Sequence, residues 1–217
     1  RPLPLLKKEV LVDAIDLRGV KANTGNLIEG MEIKGTLGKL YAKADRIDLG
    51  KEIARLNKID LSDTAITLLM NDTTTNKDTT STAVNWKLML DQIDLDRVAF
   101  AIQIPGNSLR LSTYIDKAGL TDGIVDLGSA RYSASQFLLS GSSLSYDGSY
   151  SDPAPGFDPA HIALNDVNIR IDSLLYGGRD ISARIKKFSA NDRSGLTLSS
   201  LTGDISSDST TIQVPGL

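Results

Sequence analysis

Residues 31–50 of this 217-residue chain read MEIKGTLGKLYAKADRIDLG, and a relative of this stretch returns at residues 109–128. Both segments end in a β-branched residue followed by Asp-Leu-Gly, and the offset between their first positions is 109 − 31 = 78. The same ungapped offset aligns most of residues 12–70 with residues 90–148. Repetition at a fixed offset indicates that one structural unit is used more than once.

A third, looser copy begins at Ala163 with the sequence ALNDVNI. Its Leu164 corresponds to Leu90, at an offset of 164 − 90 = 74. We therefore predict about three β-repeats of about 75 residues each, which together form one elongated domain. The predicted divisions are a lead-in at 1–9, a first repeat with its loop at 10–82, a second repeat with its loop at 83–160, and a truncated third repeat at 161–217.

Apolar and polar residues alternate in each copy with the period of a β-strand that buries one face. We predict that Ile33, Leu111 and Ile185 occupy equivalent positions and point to one common apolar face. Their neighbours Lys34, Ser112 and Lys186 are predicted to point away from it. The apolar positions with this period are Met31, Ile33 and Leu37 in the first copy, Leu109, Leu111 and Ile115 in the second, and Ile181 and Ile185 in the third.

Glycines divide the alternating segments. Gly35, Gly38 and Gly50 are interpreted as breaks between short strands, which predicts about five strands per repeat. Residues 51–57 could form two helical turns, but their counterparts at 129–135 are rich in serine, so we predict strand there.

Two polar segments fall after the first and second copies, and both are predicted to be loops. They lie near 72–82 and 147–160 and are rich in turn-forming residues. Residues 73–80 carry no apolar side chain that could pack in a core, so shortening this segment is expected to cost little stability.

The fold class follows from these patterns. No segment has a sustained helical period, so a sheet with one apolar face has no helix to cover it. Such a sheet either folds on itself as a sandwich or closed β-solenoid, or curls into an open groove that accepts an apolar ligand. We favour the groove and predict an all-β protein built from a repetitive antiparallel sheet.

Composition excludes several classes of function. The formal net charge is −3, with 24 Lys and Arg against 27 Asp and Glu, so there is no basic excess for binding nucleic acid. The chain has no Cys, which excludes disulfides and thiolate chemistry. Its apolar runs are far shorter than the roughly 20 residues that span a bilayer. Because the chain begins at Arg1 without Met, we interpret it as an excerpt of a longer protein, in which a signal or anchor segment upstream would not be visible.

The search for catalytic residues yields no motif. His161 is the only histidine, and it is predicted to be solvated or to cap a turn at the end of a Pro-rich loop. Neither a nucleophile elbow nor a phosphate-binding loop is present. We therefore predict that the chain is not an enzyme and that it has no metal site and no cofactor. Recurring carboxylates are predicted to lie on the solvent face of strands: Asp16, Asp48, Asp60, Asp94 and Asp126.

A resemblance to a known family rests on four features. They are the repeated unit, the openings VDAIDL at 12–17 and LDQIDL at 90–95, the VDLG at 125–128, and DPAHIAL at 158–164. Together they resemble the amino-terminal periplasmic region of TamB-type translocation and assembly module proteins of Bacteroides-like bacteria. That family belongs to the AsmA-like group, which is related to the repeating β-groove lipid-transfer proteins.

The resemblance implies a β-structure that spans the periplasm, with an apolar groove and an inner-membrane anchor. It implies a role in outer-membrane biogenesis, through phospholipid passage, support of outer-membrane protein assembly, or both. The implied partners are a phospholipid or other acyl-chain ligand, the inner membrane and the outer-membrane assembly machinery. On this hypothesis, the eight alternating apolar positions line the lipid groove.

Two other functional classes stay open. A structural or adhesive surface array would use the same repeated strands. A carbohydrate-active β-helix is the enzyme alternative, although its coils repeat at a shorter period and Trp86 is the only tryptophan available for a sugar platform.

Short Asp-Ser/Thr segments also resemble the acceptor sequence of Bacteroides-type periplasmic O-glycosylation, with turn formation as the alternative explanation. The candidate acceptors are Thr64, Thr73, Thr79, Ser173 and Ser209.

Overall fold

The computed structural model describes residues 9–10, 13–25, 27, 30–70, 85–177, 180–207 and 212–213. These residues form eleven strands in one sheet, nine of them longer than two residues, and a short 3₁₀ turn at Pro105–Asn107. The strands are β1 (Glu9–Val10), β2 (Ala14–Asn23), β3 (Met31–Asp48), β4 (Ile53–Met70), β5 (Lys87–Ile104), β6 (Leu109–Asp126), β7 (Arg131–Asp147), β8 (His161–Gly177), β9 (Asp180–Asp192), β10 (Thr197–Ser207) and β11 (Ile212–Gln213).

The strands from β3 to β11 lie side by side in chain order, and β1 and β2 both pair with β3. Every neighbouring pair is antiparallel except β4 and β5, which run parallel. The sheet is open, since the order ends at an edge on both sides. This architecture confirms the all-β prediction and the predicted curled, groove-like sheet, with the parallel pair as its one departure from antiparallel order among the described strands.

The repeat is visible in the strand boundaries. Adding 78 to the bounds of β3 reproduces those of β6, because 31 + 78 = 109 and 48 + 78 = 126. Each repeat, however, contains three long strands, and the prediction of about five short strands is wrong. Gly35 and Gly38 lie inside β3 and do not interrupt it. The strand prediction for residues 51–57 holds from Ile53 onward, where β4 begins.

The third repeat runs in the opposite direction from the second. The first and second repeats join through the parallel β4–β5 pair, whereas β7 and β8 are antiparallel and are joined by residues 148–160. The predicted equivalence of Ile185 with Leu111 is therefore wrong. Leu111 pairs with Ile102 near one end of the strands, whereas Ile185 pairs with Ile171 nearer the other end.

A line of left-handed residues crosses the middle of the sheet, and we call it the first crease. In a strand, a residue with positive φ acts as a bulge, so two consecutive side chains point to the same side and the strand bends. The crease recurs with the repeat. Arg97 in the second repeat corresponds to Gly19 in the first, and Gly141 corresponds to Asp63, both at the offset of 78. The residues of the first crease are Gly19, Asp63, Arg97, Gly141 and Asp166, with φ between 49° and 63°.

The creases explain why one face is apolar along the whole strand. In β5 the apolar residues immediately before the first crease, Ile93 and Leu95, fall on odd positions, and those after it fall on even positions, as in Phe100 and Ile102. Because the bulge at Arg97 shifts the alternation by one residue, both sets lie on the same face. Asp122 and Ser173, which also have positive φ, mark a second crease nearer the other end of the strands.

Burial shows which way the sheet curls. In β4, β5, β7 and β8, the residue that directly follows the residue of the first crease is almost fully buried. These residues are Thr64, Val98, Ser142 and Val167, with exposures of 2%, 6%, 1% and 5%. Away from its connecting segments, a single sheet buries side chains on the side toward which it bends. The buried apolar residues all lie on the apolar face, so this face is concave, and the opposite face is convex.

The connection between β4 and β5 tests this curl, although residues 71–84 lie outside the described part of the chain. It joins Met70 to Lys87, which sits beside Ile53 at the far end of β4. Removing residues 75–80 leaves 17 − 6 = 11 peptide steps, which reach at most about 38 Å. A flat 18-residue strand measures about 56 Å.

Because the creases bring the strand ends together, we expect this deletion to change the free energy of unfolding by less than about 1 kcal/mol. The shorter loop itself lowers the entropy cost of loop closure by about 0.4 kcal/mol, which is slightly stabilising. Urea denaturation measures the change, and removal of residues 77–78 alone is the control. If only the longer deletion unfolds the protein, the strand ends lie farther apart than the creases imply.

Candidate functional site

The concave face forms a trough whose axis crosses the strands. In β5 the segment between the two creases contributes Ile93 and Leu95 to the floor. The segments beyond the creases form the walls, with Leu88 and Leu90 on one side and the alternating residues from Val98 to Ile104 on the other. The walls end at two rims, and we call the rim next to Ile104, Leu109 and His161 the first rim.

Apolar side chains continue from strand to strand without a gap. Pairing places Ile33, Leu68, Ile102, Leu111, Tyr146 and Ile162 in one row along the wall at the first rim. A second row along the floor crosses nine strands and consists of Leu17, Leu40, Leu61, Leu95, Ala118, Leu139, Ile169, Phe188 and Leu201. At a spacing of about 4.8 Å between strands, nine strands give a trough about 38 Å long.

All eight apolar positions singled out from the sequence lie on the concave face. Met31, Ile33 and Leu37 precede the first crease in β3, and Leu109, Leu111 and Ile115 precede it in β6. Ile181 and Ile185 lie on the same face in β9 but along the other wall and the floor. Seven of the eight are half-buried and Ile181 is exposed at the rim.

Sequence reasoning missed most of the residues that line the trough. The largest omissions are the floor row and the stacked pair Tyr132 and Tyr176, whose ring centroids lie 5.8 Å apart at the rim opposite the first rim. A signal for them exists in β5, where apolar residues recur at intervals of two and then three residues. That signature predicts a bulged strand with one apolar face.

No second layer covers the trough among the residues that the structure describes, since all their long elements belong to the one sheet. Apolar side chains at the β2 edge, such as Ile15 and Leu17, are more than two-fifths exposed. Exposed apolar surface of this kind is typical of sites that bind an apolar partner.

The convex face is mostly polar and carries paired charges along the first crease. Arg97 donates two hydrogen bonds to the Asp63 carboxylate, at 2.7 and 3.0 Å, and its third nitrogen lies 2.5 Å from Asp96. The hydrogen bonds from Arg97 lower the pKa of Asp63. A similar pair at the β2 edge, Arg18 with Asp16, lowers the pKa of Asp16. The charges therefore stay in water while the apolar residues face the trough.

Arg97→Gln is expected to raise the pKa of Asp63 toward its ordinary value, because the amide removes the positive charge and the bidentate hydrogen bonds. A carboxyl group whose pKa is lowered by folding stabilises the fold above its unfolded pKa, and this contribution disappears as the pH falls through the lower, folded value. Carbon-detected NMR titration of the carboxyl groups measures the shift. The pKa of Asp16 in the same spectra is the control, since Arg18 is untouched, and an unchanged Asp63 would contradict the pairing.

Two residues depart from the sequence-based predictions for polar groups. Asp48 is buried, so the solvent-face prediction is wrong for this one of the recurring carboxylates. Its side chain accepts hydrogen bonds from the backbone N–H groups of Gly50 and Lys51, at 3.1 and 3.0 Å, which stabilise the β3–β4 turn. His161 is also buried, with 6% exposure, so the prediction that it is solvated is wrong.

The candidate glycosylation sites divide by exposure. Thr64 is 2% exposed and donates its hydroxyl hydrogen bond to the Ser62 carbonyl oxygen, so it cannot reach a transferase in the folded protein, and the prediction for Thr64 is wrong. Ser173 is exposed at the second crease. Thr73, Thr79 and Ser209 lie outside the described residues.

Modification at Ser173 stays a prediction, with an expected outcome that can be measured. Intact mass of protein purified from its native host is expected to exceed the sequence mass by whole glycan units, and Ser173→Ala is expected to lose one unit. Unmodified mass in the native host would remove the hypothesis.

Comparison with known proteins adds no relative: no protein-family model matches the chain, and no curated protein matches it significantly. Within the described residues, no helix has the length and apolar character needed to cross a membrane. The functional argument therefore rests on the geometry of the trough.

Proposed function

We propose that this chain is a segment of an envelope protein whose concave trough shelters acyl chains. The ligand is a phospholipid or another acyl-chain molecule, and the setting is the periplasm, as part of an inner-membrane-anchored protein of the TamB type. In this role the chain serves outer-membrane biogenesis, by passing phospholipid or by supporting outer-membrane protein assembly. The proposal includes no catalytic step.

One observation carries the proposal, namely the unbroken apolar rows on the concave face of an open sheet. A core would need a second layer to exclude water from these rows, and the described residues supply none. Rows that continue across nine strands give an extended molecule the same surroundings along its whole length. The polar convex face keeps such a trough soluble in water.

The free energy of transfer favours a long contact. Burying one methylene group contributes about 0.8 kcal/mol, so sheltering most of a chain of roughly 16 carbons offsets on the order of 10 kcal/mol of the cost of leaving a bilayer. A single apolar side chain cannot do this. A trough about 38 Å long offers contact along the whole chain.

The two alternative functions differ in how well they agree with the observed sheet. A β-helix consists of stacked parallel coils, whereas the described strands form one open, mostly antiparallel sheet, so the carbohydrate-active β-helix loses its structural basis. A structural or adhesive array would be compatible with the sheet but gives no reason for an uncovered concave apolar face.

Lipid analysis of gently extracted protein tests the proposal. We expect mass spectrometry to find phospholipid in protein purified from its native envelope, at a stoichiometry near one or more per chain. A photoreactive residue at position 111 is expected to crosslink to lipid, whereas the same residue at position 112, on the convex face, is not. Folded protein that crosslinks equally from both positions, or from neither, would overturn the trough as a lipid site.

A further inference from the structure

A second cavity lies on the convex face at the first rim, away from the trough. Residues 148–160, which connect β7 to β8, fold over the strand ends there, and the cavity beneath them has a volume of about 210 Å³. Pairing places Arg110, Asp147 and His161 side by side in one row on this face. The cavity is lined by Ser108, Arg110, Asp147, Ser149, Ser151 and His161, together with Tyr150 and Pro153.

Hydrogen bonds hold the connecting segment in place. Its two ends meet where the Gly148 N–H donates to the Ala160 carbonyl oxygen, at 2.8 Å. The carboxylate of Asp158 accepts from the backbone N–H groups of Ala154 and Ala160, at 2.9 and 3.0 Å, and these bonds lower the pKa of Asp158. The Tyr150 hydroxyl donates to the carbonyl oxygen of Pro105. Ser151 is therefore carried by a segment that is fixed at both ends and by the side chain of the preceding residue, Tyr150.

The buried imidazole has a defined tautomer. Its Nδ1 lies 3.1 Å from Oδ1 of Asp147, and the His161 side chain is 4% exposed. A carboxylate can only accept a hydrogen bond, so Nδ1 carries a proton, and in the neutral imidazole Nε2 then has the free lone pair. Nε2 lies 3.5 Å from the Ser151 hydroxyl oxygen. This is the relative placement of nucleophile, base and orienting acid in serine hydrolases, which is recognised by geometry and not by sequence order.

We propose that Ser151 is a nucleophile activated by His161, and that this cavity is an acyl-transfer site for small esters. Asp147 is the positioning residue that holds the imidazole ring. Sites for drug-sized ligands begin at roughly 300 Å³, so this smaller cavity suits a short acyl group. This inference goes beyond the lipid trough, does not depend on it, and departs from the sequence-based expectation that the chain is not an enzyme.

The reaction balances with water as the only co-reactant. The Ser151 oxygen bonds to the ester carbonyl carbon while its proton moves to Nε2 of His161, and the carbonyl electrons move to the oxygen, where the Arg110 guanidinium supplies positive charge. Collapse breaks the carbon–oxygen bond to the alcohol, which leaves with the proton from Nε2. Water then attacks the acyl-serine by the same route and releases the carboxylic acid.

Sequence reasoning missed this cluster because its members lie in a segment that looks like a simple loop. Asp147, Ser151 and His161 are close together in the chain, among prolines, glycines and serines typical of turns. Only the folding of residues 148–160 back over the strand ends brings Ser151 to the imidazole.

Labelling with a fluorophosphonate probe, read by peptide mass spectrometry, tests the proposal on the 217-residue chain. We expect a covalent adduct at Ser151 and none at Ser149, whose hydroxyl lies only 2.8 Å away and serves as the internal control. His161→Gln is expected to slow labelling at least about 100-fold, and Asp147→Asn at least about tenfold. Hydrolysis of p-nitrophenyl acetate is expected to follow the same order and to disappear in Ser151→Ala.

A purely structural role for the cluster predicts a different set of results. In that case folded wild-type protein would show no adduct at Ser151, or would label equally fast with Asp147→Asn, and either outcome overturns the proposal. Circular dichroism and thermal denaturation establish that each variant is folded. If His161→Gln does not fold, the wild-type adduct and the rate of Asp147→Asn decide the question.

Discussion

Leu111→Arg is expected to abolish lipid co-purification while the protein stays folded. Leu111 lies on the wall of the trough, in the row that joins Ile102 to Tyr146, and is half-buried. A guanidinium there places a charge across the path of an acyl chain, and each displaced methylene loses about 0.8 kcal/mol of transfer free energy. Because the wall is open to water, the arginine head can reach solvent and the fold survives.

Ser112→Arg is the matched control, since it introduces the same side chain one residue later on the convex face. Ser112 is exposed and pairs with Ala101 and Ser145. We expect this variant to keep its bound lipid and its melting temperature. Arg110 is unsuitable for comparison because it pairs with Asp147 and lines the second cavity.

Lipid per chain by mass spectrometry, with circular dichroism of the same samples, distinguishes the explanations. Loss of lipid from folded Leu111→Arg alone supports the trough. Unfolding of Leu111→Arg would mean that Leu111 belongs to a sealed core, and full lipid content in both variants would mean that the lipid binds elsewhere.

Val98→Asp is expected to destabilise the protein by about 3 kcal/mol or more, because an uncompensated buried charge is among the most costly substitutions. Val98 follows the crease residue Arg97, is 6% exposed, and pairs with Thr64 and Ile115 on the inside of the bend. A carboxylate at this position is buried among apolar and uncharged side chains, on the opposite face from the Arg97 guanidinium.

Ala99→Asp is the control for Val98→Asp, since it adds the same carboxylate one residue later, on the convex face. We expect it to change the free energy of unfolding by less than about 1 kcal/mol. Urea denaturation followed by circular dichroism measures both variants. Equal destabilisation by the two substitutions would show that the faces are not distinguished at the crease and that the sheet is not bent there.

The repeat and the face of the trough were predictable from the chain itself, because both depend on local pattern. An offset of 78 aligns β3 with β6, and the alternation around Ile33 and Leu111 assigns the face of each side chain. Successive side chains of an extended backbone point to opposite faces, so the sequence pattern reveals the face of each residue wherever a strand is regular.

The long strands were harder to predict because a crease looks like a break. The alternation in β4 shifts between Leu61 and Thr64, with Asp63 in the left-handed conformation between them. In sequence this shift resembles the end of one short strand and the start of another. Only the paired neighbours on both sides show that the strand continues through the bend.

By itself, the sequence determined an all-β, repetitive sheet with one apolar face, because composition and period act over a few residues at a time. The tertiary structure alone decided the parallel β4–β5 junction, the reversed third repeat and the burial of His161. Each of these depends on which strand the chain pairs with after a connection, as when residues 71–86 lead to Lys87 beside Ile53 while residues 148–160 lead to His161 beside Asp147. Such a choice depends on the combined pairing energy of whole strands, so no local pattern records it.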